Sequence, residues 1–199
     1  MFKKALTLAV LLAPAMASAQ GVYLVFGGAV GSADLQGIED SYGPGSSLTS
    51  DDDVERAIAG VGMRISPYLS LEGSYMSEVE NRVEDNISDV DTLEHSGIQL
   101  AVIGTAPLTS QLSLTGKLSA NYMSTDYNYR VNNVLLYSED QRAAHLGFGV
   151  GMAFQANDAV AVRFGYERIM MQDVVDPGFL GASGDVDVDQ ASLSVQFNF

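Results

Sequence analysis

Cysteine and tryptophan are absent from the 199 residues, and histidine occurs only twice. Without cysteine there is no disulfide, no zinc-thiolate site and no thiol nucleophile. Basic residues are scarce as well: 10 Lys and Arg stand against 25 Asp and Glu, a formal charge of −15. That balance excludes nucleic acid as a partner, because phosphate backbones are bound through an excess of Lys and Arg. No apolar run in the body of the chain reaches the ~18 residues of a membrane-spanning helix. Disorder is excluded in turn, since 47% of the residues are hydrophobic and only 18% charged. Greasiness and acidity must therefore be segregated along the chain, and the length fits one domain.

The first 19 residues read as an address. Lys3 and Lys4 precede an apolar stretch from Ala5 to Ala13, and Ala17-Ser18-Ala19 supplies a small-x-small cleavage site. Cleavage after Ala19 is expected, which divides the chain into a signal (1–19) and a barrel domain (20–199) and leaves 8 basic against 25 acidic residues. The stretch is too short to span a bilayer as an anchor helix.

From residue 21 onward the chain becomes a ladder of segments with the strand period of two. Eight are expected: 21–31, 55–65, 69–75, 97–103, 112–122, 144–155, 159–167 and 191–199. In the fifth, Leu112, Leu114, Leu118 and Tyr122 alternate with Ser113, Thr115, Lys117, Ser119 and Asn121. In the sixth, Leu146, Phe148, Val150, Met152 and Phe154 alternate with His145, Gly147, Gly149, Gly151 and Ala153. Three connections are tight (66–68, 106–111 and 156–158) and four are long and polar (33–53, 77–95, 124–142 and 172–188). Alternating short and long connections in a meander gather all the tight turns at one end.

The polar set decides which face looks where. A water-facing set would be rich in Lys, Glu and Thr, as in a soluble barrel of the lipocalin kind. Here it is Gly, Ala, Ser, Asn and Gln with isolated charges. Small residues suit the crowded interior of a narrow closed barrel. The bulky apolar set must then face lipid, and closure removes the strand edges that lipid cannot satisfy. The expected fold is all-β: an eight-stranded antiparallel up-and-down transmembrane β-barrel.

On that pattern the chain resembles the small eight-stranded outer-membrane proteins, the OmpA transmembrane domain, OmpX/Ail and opacity-like porin family. The resemblance is carried by Gly21-Val22-Tyr23-Leu24-Val25-Phe26-Gly27-Gly28, by the run from Arg64 to Tyr75 and by Leu112-Ser113-Leu114-Thr115-Gly116-Lys117-Leu118. Phe164-Gly165-Tyr166-Glu167-Arg168 and Ser194-Val195-Gln196-Phe197-Asn198-Phe199 complete it. It implies an outer membrane of Gram-negative type, contact with its lipid and lipopolysaccharide, and no cofactor. Leu193, Val195, Phe197 and Phe199 resemble the terminal signal that the barrel-assembly machinery reads in this family. A chain ending there is expected to lack the periplasmic domain of full-length OmpA-type proteins. Tyr75, Tyr122 and Tyr166 fall where an upper aromatic girdle belongs, and Tyr68, Phe154 and Phe199 where a lower one does.

By strand parity Arg56, Arg64, Glu72, Lys117, Arg163 and Glu167 point inward, with His145. Charge in a narrow lumen is costly unless paired. An ion-pair network is expected, Glu72 and Glu167 against Lys117 and Arg163 with Arg56 or Arg64. It reads as a stiffening plug, or alternatively as a gate. His145 lacks the neighbouring hydroxyl that the His- and Ser-using barrel acyltransferases and deacylases require, and His95 falls in a loop, so no catalytic residue is assigned. The long connections with their flanks hold 21 of the 25 acids. Asp51, Asp52 and Asp53, and Asp185, Asp187 and Asp189, are dense enough to suggest divalent cation capture, against the plainer reading of a solvated, repulsive surface. The connection at 124–142 carries Tyr127, Tyr129, Leu135, Leu136 and Tyr137, and reads equally as a recognition loop or as a hairpin extended above the membrane. The expected role is non-enzymatic, envelope structure or adhesion to a host or cell-surface ligand; the alternatives are a lipid A-modifying enzyme and a narrow channel.

Overall fold

A computed structural model of the chain describes residues 21–35, 48–85, 89–132, 134–172 and 185–199. The expected signal lies outside the described residues, as do 36–47 and 173–184 in the first and fourth long connections.

Nine strands follow in chain order: β1 (Val22–Ala33), β2 (Leu48–Asp51), β3 (Asp53–Ser66), β4 (Leu69–Asp85), β5 (Asp89–Pro107), β6 (Leu112–Val131), β7 (Val134–Asn157), β8 (Val160–Met171) and β9 (Val186–Asn198). Each of β3 to β8 pairs antiparallel with the next, and β1 pairs with both β3 and β9, which closes an eight-stranded barrel. The ninth strand is no new wall. β2 lies on the upper end of β4 (Leu48↔Asp85 to Asp51↔Arg82), and β3 takes over that flank from Ile58↔Met76 downward. The two are one wall position interrupted at Asp52.

The tight turns are fixed by side chains that replace backbone partners. Ser66 Oγ accepts the Tyr68 N–H at 3.2 Å across Pro67. Thr109 Oγ1 accepts Leu112 N–H at 2.9 Å, and Asn157 Oδ1 accepts Ala159 N–H at 2.9 Å. All three lie at one end of the barrel, called lower from here on.

The bulky set faces outward. Leu118 is 61%, Phe148 51%, Val150 68% and Leu193 60% exposed, while Ser119, Asn121 and Gln99 across the same wall are buried. On β6 the apolar band runs from Leu114 to Tyr122; on β5 it covers Ile98, Leu100 and Val102. Tyr75, Tyr122 and Tyr166 mark its upper border and Tyr68, Phe154 and Phe199 its lower one, all outward and exposed. The terminal residues Leu193, Phe197 and Phe199 are on this outer face, where Phe197 lies against Phe26 with ring centroids 6.4 Å apart.

One of the four long connections is corrected by the structure: residues 77–85 and 89–95, expected in a loop, continue β4 and β5. For 124–142, almost wholly strand, the structure takes the second of the two readings, the extended hairpin. β6 and β7 stay paired up to Val131↔Val134, and Asn132 after β6 is in the left-handed region (φ 51°) that Asn tolerates and tight hairpins require. β4 to β7 therefore project as a four-stranded sheet above the apolar band. From Tyr122 to Val131 β6 climbs about 30 Å of strand, at roughly 3.3 Å per residue.

In this upper tier the polarity of the wall reverses. A register shift between Met76 and Val79 turns Val79, Asn81 and Val83 inward and Glu78, Glu80 and Arg82 out. Val79, Val83, Leu93, Met123, Tyr127, Ile169, Met171, Val186 and Val188 form a buried apolar cluster inside the upper barrel. The interior is thus polar where lipid would lie outside it and apolar where water would, each wall complementing its own solvent.

Candidate functional site

The polar lower tier holds the charged residues singled out by parity. Its sequence is mostly small because the lumen of eight strands admits little else. Gly147 lies directly across from Ser119, and a Cβ there would come 2.5 Å from Ser119 Oγ and 3.1 Å from Glu167 Oε1. That absence of a side chain leaves room for a buried carboxylate.

Glu167 is the centre of the first layer. Its Oε2 takes Lys117 Nζ at 2.6 Å and Gln190 Nε2 at 3.3 Å; its Oε1 takes Ser119 Oγ at 2.8 Å and Gln99 Nε2 at 3.0 Å. Lys117 also donates to Gln99 Oε1 at 3.1 Å, and Gln99 to Asn121 Oδ1 at 2.7 Å. Lys117, Gln99, Ser119, Asn121 and Gln190 thus form a network around one carboxylate whose oxygens are fully satisfied, the condition for a buried charge to be tolerated. Gln190 Oε1 is left without a partner among the described residues. A second layer lies below: Arg163 Nη1 donates to Glu72 Oε2 at 2.5 Å, joining walls 91 residues apart. A void of only about 40 Å³, bordered by Lys117, Arg163 and Glu167, separates the two layers.

The other two expected members are elsewhere. Arg64 is exposed at the lower mouth and donates through Nη2 to Asn198 Oδ1 at 2.8 Å. Arg56 is buried beside the upper core, where Nη2 lies 2.7 Å from His95 Nε2 and Nη1 3.6 Å from Met76 Sδ. A guanidinium can only donate, so His95 accepts on Nε2 and carries its proton on Nδ1. Arg56 Nε and His95 Nδ1 are buried without a partner among the described residues. His95 is a correction: the sequence places it in a loop, and the structure puts it on β5, 1% exposed and facing the lumen. The missed signal is Leu93-x-His95-x-Gly97, which continues the inward parity of Gln99 upward. His145 accepts the Gln172 N–H on Nδ1 at 3.3 Å. Neither imidazole touches a hydroxyl among the described residues.

The acidic candidates are not assembled into a metal centre. Among the described residues no group of three or more His, Asp or Glu is placed to hold a metal ion. Asp51 Oδ1 accepts the Asp53 N–H at 3.4 Å, and the Asp52 carbonyl accepts Ala33 N–H. Asp189 is occupied by a two-pronged ion pair with Arg168 (2.5 and 3.0 Å) and by the Tyr166 hydroxyl at 2.7 Å. The aromatic connection packs across strands, with the Tyr127 and Tyr137 rings 6.1 Å apart, while Val134, Leu135 and Leu136 are exposed at the hairpin tip.

Register also sets an unexpected row on the outside of the projecting sheet. Glu80 pairs with Glu94, Glu94 with Asp126 and Asp126 with Asp140, so four carboxylates run straight across β4 to β7.

Comparison with known proteins agrees with this architecture. A family model described as an outer membrane protein beta-barrel domain matches residues 5–199. Among curated protein sequences none matches. Three solved structures share the fold: Ail, the attachment invasion locus protein of Yersinia pestis (15% identity, TM-score 0.55, covering 90% of this chain and 99% of that one); Neisserial surface protein A (13%, 0.57, 90% and 100%); and OprG of Pseudomonas aeruginosa (13%, 0.54, 90% and 96%).

Proposed function

Because this chain belongs to the outer membrane protein beta-barrel domain family, we propose that it is a non-enzymatic surface protein of the outer membrane that adheres through its projecting sheet. The family and the outward apolar band put it in that membrane; the orientation proposed has the tight turns toward the periplasm and the projection outside, as is usual for such barrels. The observation that carries the adhesive reading is the contrast between an interior blocked at two levels and an elaborated exterior. Two ion-pair layers and an apolar core occupy the lumen, whereas β4 to β7 extend well beyond the ~10 residues a tilted strand needs to cross. Loops and extensions on a rigid barrel are where such proteins carry their recognition.

The chemistry of the partner follows from charge. Ail has been crystallised with a heparin analogue, sucrose octasulfate. A polyanion of that kind suits this chain poorly, since acids outnumber bases by 15 and the projecting face carries the carboxylate row. The partner proposed is instead a basic protein surface on a host or neighbouring cell, with Val134, Leu135 and Leu136 as the apolar contact at the tip. Transplanting residues 77–95 and 124–142 onto another eight-stranded barrel is expected to transfer cell binding that weakens with salt. Failure of the graft to bind, with the donor protein binding normally, overturns this reading. Altered lipid A acylation on overexpression would favour an enzyme, and discrete conductance steps a channel.

Assembly is proposed to depend on Leu193, Val195, Phe197 and Phe199. Deleting Phe199 is expected to lower the amount inserted in cells while leaving refolding in detergent intact.

A further inference from the structure

Below the Arg163–Glu72 layer the lumen opens into a cavity of about 280 Å³ at the periplasmic end. It approaches the ~300–1,000 Å³ of ordinary ligand pockets. Its wall is made by Tyr23, Ser70, Thr105, Ser113 and Thr115, with Arg163 and Arg64 among the remaining lining residues. Hydroxyl groups dominate that wall, and no carboxylate side chain borders it. In a chain where acids outnumber bases by 15, a space lined by two guanidiniums and no acid is the electrostatic exception. The two arginines are not equivalent. Arg163 gives one of its five donors to Glu72, which neutralises it. Arg64 has no carboxylate partner among the described residues and holds only Asn198 Oδ1, itself already accepting Gln196 Nε2 at 2.7 Å. The cavity therefore presents a guanidinium without a carboxylate side-chain partner among the described residues at its mouth, and hydroxyl groups further in.

We propose that this periplasmic vestibule binds a small hydrophilic anion of the phosphate-ester class, with Arg64 clamping the phosphate and the hydroxyls of Thr105, Ser113 and Thr115 taking the polar remainder. The forked guanidinium matches phosphate oxygens two at a time, and the hydroxyl wall rejects an apolar tail. The site is independent of the adhesive surface, which lies at the opposite end of the barrel.

Soluble ester and lipid headgroup share this chemistry, and the test separates them. The full chain, refolded into phosphatidylcholine nanodiscs, is titrated with glycerol 3-phosphate while amide resonances are followed by NMR. A parallel sample carries phosphatidylglycerol in the disc, and glycerol serves as the neutral control. Saturable shifts at Ser66, Thr105, Gln155 and Gln196 are expected with one phosphate source and not with glycerol. In R64Q the apparent affinity is expected to fall at least tenfold, and in R64K less. Arg64 is exposed at the mouth, so both variants fold; their spectra outside the vestibule check this. Equal titration of wild type and R64Q, equal response to glycerol, or shifts that never saturate each overturn the proposal.

Discussion

Single residues decide whether the lumen can hold charge at all. Glu167 is 4% exposed and takes four donors, of which Lys117 alone brings a compensating charge. Lys117→Ala leaves an ionised carboxylate in a space from which water is excluded. Breaking such a pair costs about 3–5 kcal/mol, so the unfolding midpoint in urea should drop sharply. K117M/E167Q, which removes both charges, should recover most of that loss. Equal stability of K117A and wild type would remove the pair from any structural role. Gly62 is a steric counterpart. A Cβ on it would meet the Tyr23 ring at 2.1 Å, because the phenol lies flat across the glycine inside the lower wall. Gly62→Val is expected to destabilise by about 1–3 kcal/mol through overpacking, and Tyr23→Ala in the same chain to relieve it. Both effects are read from chemical unfolding followed by circular dichroism.

At the scale of strands, the projecting sheet is held from within and strained from without. Leu93 and Ile169 sit in its apolar core; Leu93→Ala or Ile169→Ala is expected to cost about 2–5 kcal/mol through the cavity it leaves. Hydrogen exchange should rise in 77–95 and 124–142 before it rises in the apolar band. On the outer face, partial burial and then the carboxylates of Glu78, Glu80 and Asp126 hold the Glu94 carboxyl above its ordinary 4.5. A carboxyl raised in the folded state favours folding while protonated. That contribution is complete below 4.5 and is lost as pH climbs through the higher folded value. Exchange protection of the sheet, corrected for intrinsic rate, should therefore be greater near pH 4.5 than at pH 7.5, and Glu94→Gln should flatten the difference.

How much of this was legible in the sequence follows from the same strands. The barrel wall over 97–103, 112–122 and 144–155 was readable because bulky and small residues alternate within each segment; Glu72, Lys117, Arg163 and Glu167, expected inward, lie on the lumen side of the wall. The upper tier was not, because a strand with charged residues on its outer face and valines inside, as in Glu78-Val79-Glu80-Asn81-Arg82-Val83-Glu84, looks like a polar loop when the outside is assumed to be lipid. The one-residue offset after Met76 hid the change of face. Which cation met which carboxylate was not readable either, since cross-lumen partners are set by barrel shear and not by spacing. His95 was lost with the segment that contains it.

As a whole, the molecule is closed twice by unlike means: salt-bridged layers at bilayer depth and an apolar core above. These barriers are separate in space, so defeating one leaves the other. The double variant K117A/R163A, stripped of both lumen cations in the ion layers, is expected to remain silent in planar bilayers despite lower stability. Discrete conductance steps from it would show that the upper core does not seal. The two-sided upper sheet has a further consequence. Its outward side chains alternate with inner ones that pack in the apolar core. Substitutions at Glu80, Arg82, Asp126 or Asp140 therefore change the outer face without touching the apolar seal behind it.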